Sequence, residues 1–356
     1  MRRGRELLQR LQLEIPIIQA PMAGVSTPAM AAAASNSGAL GSMGVGATNA
    51  EGARKMIRAA RELTQRSLNI NVFCHRPAVA NPAVEAAWLQ RLRPHFERVG
   101  ATPPARLQEI YKTFVDDDEM LELLLEYRPE VVSFHFGVPS AERMQALRTA
   151  GCLLIASATN PQEAKMLVAA GVDAVIAQGY EAGGHRGMFD PAMRDDCLGT
   201  LALTRILARE LDVPVIAAGG IMDGAGVAAA LRLGAVAALL GTAFVACPES
   251  SADEGYRASL KSDAAFHTVV TAAISGRPAR CLPNRFTQLG EPVRASEIPA
   301  YPIAYDAGKA LHAAAKAKSD FGYGAQWAGQ GAPLARSLPT AELVRALTAE
   351  LATALA

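Results

Sequence analysis

The stretch "AQGYEAGGHRGMF", Ala177 to Phe189, sets His185 among Gly183, Gly184 and Gly187 directly after an apolar run. Imidazole changes charge near neutral pH, and glycines beside it let a ligand come close to backbone. A flexible turn that merely tolerates a polar residue would read the same way. His135 lies between two phenylalanines in "SFHFG", which suits a packed wall as well as a cavity lining. Two more glycine turns, "AAGGIMDG" with Gly219 and Gly220 and "LLGTAF" with Gly241, can present free N–H groups to a phosphate, or can simply permit tight turns. Neither histidine belongs to an HxH or HExxH spacing and His75 stands alone, so no metal is expected. No GxSxG elbow offers a nucleophile, and no GxGxxG marks a dinucleotide fold.

These residues need elements to hold them. Short apolar runs bounded by Gly or Pro predict eight strands at Ile15–Ala20, Leu40–Val45, Leu68–Val72, Val131–Gly137, Cys152–Ala158, Ala174–Gln178, Val213–Ala218 and Ala237–Gly241. Helical spacing predicts helices at Pro28–Ser37, Ala50–Leu63, Ser140–Ala150, Pro161–Ala170, Thr200–Leu211 and Gly224–Leu233. Near-continuous apolar strands alternating with helices imply a parallel sheet with covered faces. Eight of them point to an α/β fold of the (β/α)8 TIM-barrel type, with an open doubly wound sheet as the alternative. The C-terminal strand ends would then gather Ala20-Pro21-Met22, Ser42, Asn71, His135, Ser157, Gln178, Gly219-Gly220 and Gly241-Thr242 at one mouth. Small residues and amides leave room there for a flat ring, and the turns after strands seven and eight are where this fold binds phosphate.

Two segments break the alternation. A helical insertion at about 74–129 follows the third strand, and mainly helical sequence runs from 249 to 356. The expectation is a barrel domain over 1–248 and a substrate-side helical domain over 249–356, with the last helix returning to the barrel. Lys+Arg 35 against Asp+Glu 34 leaves no basic field for nucleic acid. The partner expected is therefore a small molecule, with a homo-oligomer left open. Five scattered cysteines suit reduced thiols and a cytoplasmic location, and no signal peptide or membrane span is expected. In "AYPIAYDAGKAL", Pro302 suits the first helical position with Tyr301 as N-cap, so Tyr301, Tyr305 and Lys309 share a stripe.

The segments "IIQAPMAGVSTPAMAAAASNSGALGSMG", "NVFCHRPA", "SFHFGVP", "AQGYEAGGHRG", "VIAAGGIMDG" and "LGTAFVACPES" together resemble the nitronate monooxygenases, formerly called 2-nitropropane dioxygenases. "ISGRPAR", "NRF", "YPIAYDAGKAL" and "WAGQGAPLAR" resemble the bacterial class I group of that family. The resemblance implies an FMN enzyme that oxidises alkyl nitronates with O2 to an aldehyde or ketone and nitrite, with propionate 3-nitronate as substrate and detoxification as role. It implies FMN contacts at Ala20, Pro21, Met22, Ala23, Asn71, Gln178, Gly183, Gly219, Gly220, Leu239, Leu240, Gly241 and Thr242. His185 would be catalytic, and His135, Tyr111, Tyr256, Tyr301, Tyr305 and Lys309 would line the substrate side. A protonated or hydrogen-bonding His185 would balance the charge of the anion. The strand-end motifs are shared with FMN-dependent NAD(P)H enoyl- and quinone reductases, which stay the alternative.

Overall fold

The computed structural model describes residues 2–356. Eight parallel strands form one sheet: Ile17–Gln19, Gly41–Gly44, Leu68–Phe73, Val131–His135, Leu153–Ala158, Ala174–Gln178, Val215–Ala218 and Ala237–Leu240. The first pairs with the eighth. It also meets the second, where the Gln19 N–H donates to Leu40 at 2.9 Å and the Leu40 N–H to Ile17 at 3.0 Å. No edge remains, and the sheet is a TIM barrel rather than an open doubly wound sheet. The predicted elements all form, with ends displaced by a residue or two. Local signals explain several starts: Thr27, Asn49, Ser140, Asn160 and Asp223 each accept from a first-turn N–H, and proline follows Thr27 and Asn160.

Four apolar clusters do most to hold the structure. Ile18, Leu40, Val131, Ile155, Ile176 and Ile216 fill the barrel interior. The first helix, Arg2–Arg10, sends Leu7 into that cluster, with Leu11 just beyond it. Outside the strands, Ile70, Val72, Val132, Phe134, Leu154 and Val175 pack beneath helix residues such as Ile57, Leu124, Leu147 and Leu203. The third cluster joins the two segments that break the alternation. Trp88, Leu92 and Phe96 of the insertion helix Pro82–Arg98 pack with Ile303, Ala307 and Leu311 of helix Ile303–Lys316. The last helix, Thr340–Leu355, lays Leu343, Val344, Leu347 and Leu351 against Met30, Val227 and Ala228 of barrel helices.

One helix starts later than expected. Pro302 is the N-cap, with φ −97 and ψ 16, and the helix begins at Ile303. Tyr301 therefore precedes the cap, bonded to Pro302 through a cis peptide. A second departure concerns the glycine-flanked histidine. Gly184–His185 is a short strand, not a loose turn, and pairs antiparallel with Ala279–Cys281 of a small three-stranded sheet.

Candidate active site

A cavity of about 510 Å³ opens at the C-terminal strand ends, between the barrel and helix Ile303–Lys316. The first turn forms its floor. Gln19 is fully buried; its Nε2 donates to Ser26 Oγ at 2.8 Å and its Oε1 accepts from the Ser42 N–H at 2.9 Å. Ser26 accepts from the Met22 N–H at 2.9 Å and donates to the Ala20 carbonyl at 3.0 Å. Ala20, Pro21, Met22 and Ala23 are thus fixed along the cavity wall.

Gly219 and Gly220 have φ +125 and +70, which favour glycine, and a Cβ on Gly219 would sit 2.6 Å from Thr200 Oγ1. No protein acceptor takes either of their N–H groups among the described residues. Gly241 caps the one-turn helix Thr242–Val245 without a side-chain bond. Gly183 lies against Gly329, where a Cβ would come 2.5 Å from the Gly329 nitrogen. Free amides at two adjacent turns, with the cavity floor beside them, fit the phosphate and flat ring of a mononucleotide.

Of the expected contacts, Leu239 and Thr242 also line the cavity, but the Leu240 side chain does not. It packs into the core with Ile17, Val227 and Phe244, because alternate residues of a strand face opposite sides. Asn71 lines the cavity with both amide hydrogens committed, to Ser133 O at 3.1 Å and Ser133 Oγ at 3.0 Å. Gln178 is largely a clamp: its Oε1 accepts from the Gly187 N–H at 2.7 Å and its Nε2 donates to the His185 carbonyl at 3.0 Å.

His185 is therefore held at its backbone and at its ring. His135 Nε2 also donates to the His185 carbonyl at 3.2 Å, and His185 Nε2 lies 2.9 Å from Ser275 Oγ. Ser275 is also 3.2 Å from the Arg277 carbonyl, so its single hydroxyl proton has two destinations. Pointing at His185, it puts the ring proton on Nδ1; pointing at Arg277, it leaves Nδ1 a bare base. Nδ1 has no protein partner among the described residues and is left for a ligand. Burial holds the His185 imidazole down at about 3, with His135, Arg277 and His75 adding to the effect. The imidazole is neutral at pH 7, so of the two states expected for His185, protonated or hydrogen-bonding, burial favours the second: water is too scarce here to solvate the imidazolium, and no carboxylate among the described residues balances it.

Tyr111, Tyr256, Tyr301, Tyr305 and Lys309 all line the same cavity. The Tyr301 ring lies 5.3 Å and the Trp327 ring 5.0 Å from His185. Tyr301 Oη is buried without a partner among the described residues, whereas the Tyr256 hydroxyl donates to the Trp327 carbonyl. Lys309 Nζ sits 4.6 Å over the Tyr111 ring and 5.3 Å over Tyr305, with no carboxylate in ion-pair range among the described residues. Further along that helix, Lys316 and His312 share Asp253 at 3.1 and 3.4 Å. Gln19, Ser26, Ser275, Arg277 and Trp327 are the participants that sequence reasoning left out. Each lies in a segment that carries the family resemblance, but nothing local in the sequence gives any of them its role. Among the described residues, no helix is long and apolar enough to cross a membrane.

Residues 5–350 match the family described as Nitronate monooxygenase. The chain is 65% identical over 347 residues to a nitronate monooxygenase of Paraburkholderia phytofirmans, covering 98% of this chain and 95% of that one. It is 54% identical to a nitronate monooxygenase of Pseudomonas aeruginosa, covering 96% of this chain and 97% of the relative. Among solved structures, the nitroalkane oxidase of Streptomyces ansochromogenes superimposes with a TM-score of 0.89 at 40% identity, over 98% of this chain and 99% of that one.

Proposed function

The chain belongs to the nitronate monooxygenase family, an oxidoreductase of nitronates, and from that premise we propose that it binds FMN and uses O2 to convert alkyl nitronates to a carbonyl compound and nitrite. Propionate 3-nitronate is the substrate the cavity suits, and removal of a toxic nitronate is the role. The observation that carries this reading is one cavity lined together by glycine turns with free amides, a tethered neutral imidazole and an unpaired lysine. Gly219, Gly220, Gly241 and Thr242 would hold the phosphate, and Ala20–Ala23, Asn71 and Gly183 the ring. When bound, FMN supplies the acceptor through which electrons pass from the nitronate to O2.

A nitronate arrives as the carbanion equivalent, so no strong base is needed to make it. His185, pulled down to about 3, is a weak base. With Ser275 donating to Nε2, it instead offers Nδ1–H to a nitronate oxygen. Tyr301 offers a second donor, its hydroxyl, and His135 and Gln178 keep the His185 backbone in place. Lys309 supplies the cation a second, distal carboxylate would meet.

Anaerobic mixing tests the reading: ethyl nitronate should bleach the flavin absorbance while NADH leaves it unchanged. The reverse pattern would make the chain an NAD(P)H-dependent reductase on the same barrel. The protein should purify yellow, and the released cofactor should be FMN; FAD would contradict a cradle with one phosphate site.

A further inference from the structure

Arg277 is only 4% exposed, in the loop between Ile274 and the strand Ala279–Cys281. A buried guanidinium is ordinarily paired, as the nearby Arg186 is, with two bonds to Asp195 at 2.7 and 3.0 Å. Among the described residues Arg277 has no such partner. One Nη donates to the Met188 carbonyl, and Nε has no acceptor among the described residues. The acids that bear on it are committed elsewhere. Glu163 accepts from Thr159 at 2.7 Å and from the Phe189 N–H at 2.9 Å, and Asp190 pairs with Arg76 at 3.1 Å.

The guanidinium carbon instead lies 4.2 Å from the centre of the Phe136 ring. Phe136 has φ +72, a conformation that a bulky residue adopts at a cost and that tends to mark functional sites. Its ring touches His135 at 4.4 Å, Tyr301 at 5.5 Å and His185 at 5.8 Å. The backbone of Arg277 also reaches His185, through Ser275.

We propose that Arg277 is a positioning residue of this site, an unpaired buried cation that acts across Phe136 and supplies the positive field in which an anionic substrate is held. The inference rests on the nitronate reading for its substrate but not for its field. His135, Tyr301, Tyr305 and Trp327 surround His185, with His75 and Arg277 one ring further out, and of these only Arg277 is charged at neutral pH. Burial lowers Arg277 only to about 10, so it keeps its charge there, with Glu163 and Asp190 supporting it from a distance. A cation without a screening partner in a dry wall acts over several ångströms, because little water intervenes.

Arg277→Met removes the charge and keeps the stem over Phe136, Arg277→Gln keeps a donor for Met188, and Arg277→Lys keeps the charge. The His185 ring is titrated by NMR in each holoenzyme, and the anaerobic rate of flavin bleaching is measured with ethyl nitronate. In the neutral variants His185 should bind its proton about tenfold more tightly, one pKa unit, and the second-order rate with the anion should fall about tenfold. The Arg277→Lys variant should restore both. Neutral variants that fold but titrate and react like the parent would overturn the proposal. So would neutral variants that fail to fold while Arg277→Lys does fold, since the charge would then serve the fold. If ethyl nitronate never bleaches the parent, the nitronate reading falls, while the titration still decides the field.

Discussion

At the residue scale, the chemistry of this site is set by how little freedom His185 has. Three groups hold it, Gln178 and His135 at its carbonyl and Ser275 at its ring, and each leaves Nδ1 toward the cavity. Replacing His185 by Asn should lower turnover with nitronate by about 10²-fold, the scale of one preorganised electrostatic group, and flavin content should stay the same, because glycine backbone forms its cradle. Steady-state kinetics with the absorbance ratio of bound flavin checks both halves; unchanged turnover would return His185 to a structural role. His185 and His135 are legible in the sequence because glycines and strand-end position mark them. Arg277 and Ser275 are not, since they lie some ninety residues away and reach the site only through the pairing of Gly184–His185 with Ala279–Cys281. The protonation of His185 is equally hidden, because it depends on burial by Tyr301 and Trp327, which no local pattern announces.

At the scale of elements, the barrel is readable almost strand by strand, since an apolar run closed by glycine or proline carries its own boundary. Helix Ile303–Lys316 is harder. Its stripe of Tyr305 and Lys309 is visible, but its start reads one residue early, as Pro302 suits the first turn about as well as the cap. What the stripe faces is also unreadable, because it is decided by Trp88, Leu92 and Phe96 of the insertion packing behind the helix. The stripe carries a prediction. Lys309→Met should raise KM for propionate 3-nitronate by about tenfold and leave ethyl nitronate nearly unchanged, since only the former brings a carboxylate to the unpaired ammonium. Equal losses on both substrates would show that Lys309 acts through Tyr111 and Tyr305 as a packing residue. Against the back of Tyr301, at 5.0 Å between ring centres, His75 is 1% exposed and neither ring nitrogen has a partner among the described residues. His75→Phe should therefore leave the melting temperature near neutral pH within a few degrees of the parent and raise it at about pH 5.

That last expectation is a property of the whole molecule. His75 and His135 are lowered to about 4 and His185 to about 3, in each case chiefly by burial. All three lie below the value of about 6.5 that histidine has in an unfolded chain, so the unfolded state binds the extra protons. The stability these groups contribute is complete above pH ~6.5 and is lost as pH falls toward their folded values. Between about pH 6 and 4 the three together give a slope of up to about 4 kcal/mol per pH unit, and His75→Phe should reduce it by about a third. Denaturant melts across that range measure the slope; a flat profile would mean that the histidines protonate without unfolding. The layout of the molecule adds a constraint of a different kind. Helix Thr340–Leu355 packs on Pro28–Asn36 as well as on Gly224–Arg232, so the apolar face of an early helix is covered by residues far later in the sequence. During synthesis that face must wait, exposed, until the ribosome has released residues 340–355. A nascent chain stalled before Thr340 would present Met30 and Val227 to chaperones or to other stalled chains, so the step that seals helix Pro28–Asn36 is also the step that ends this aggregation hazard.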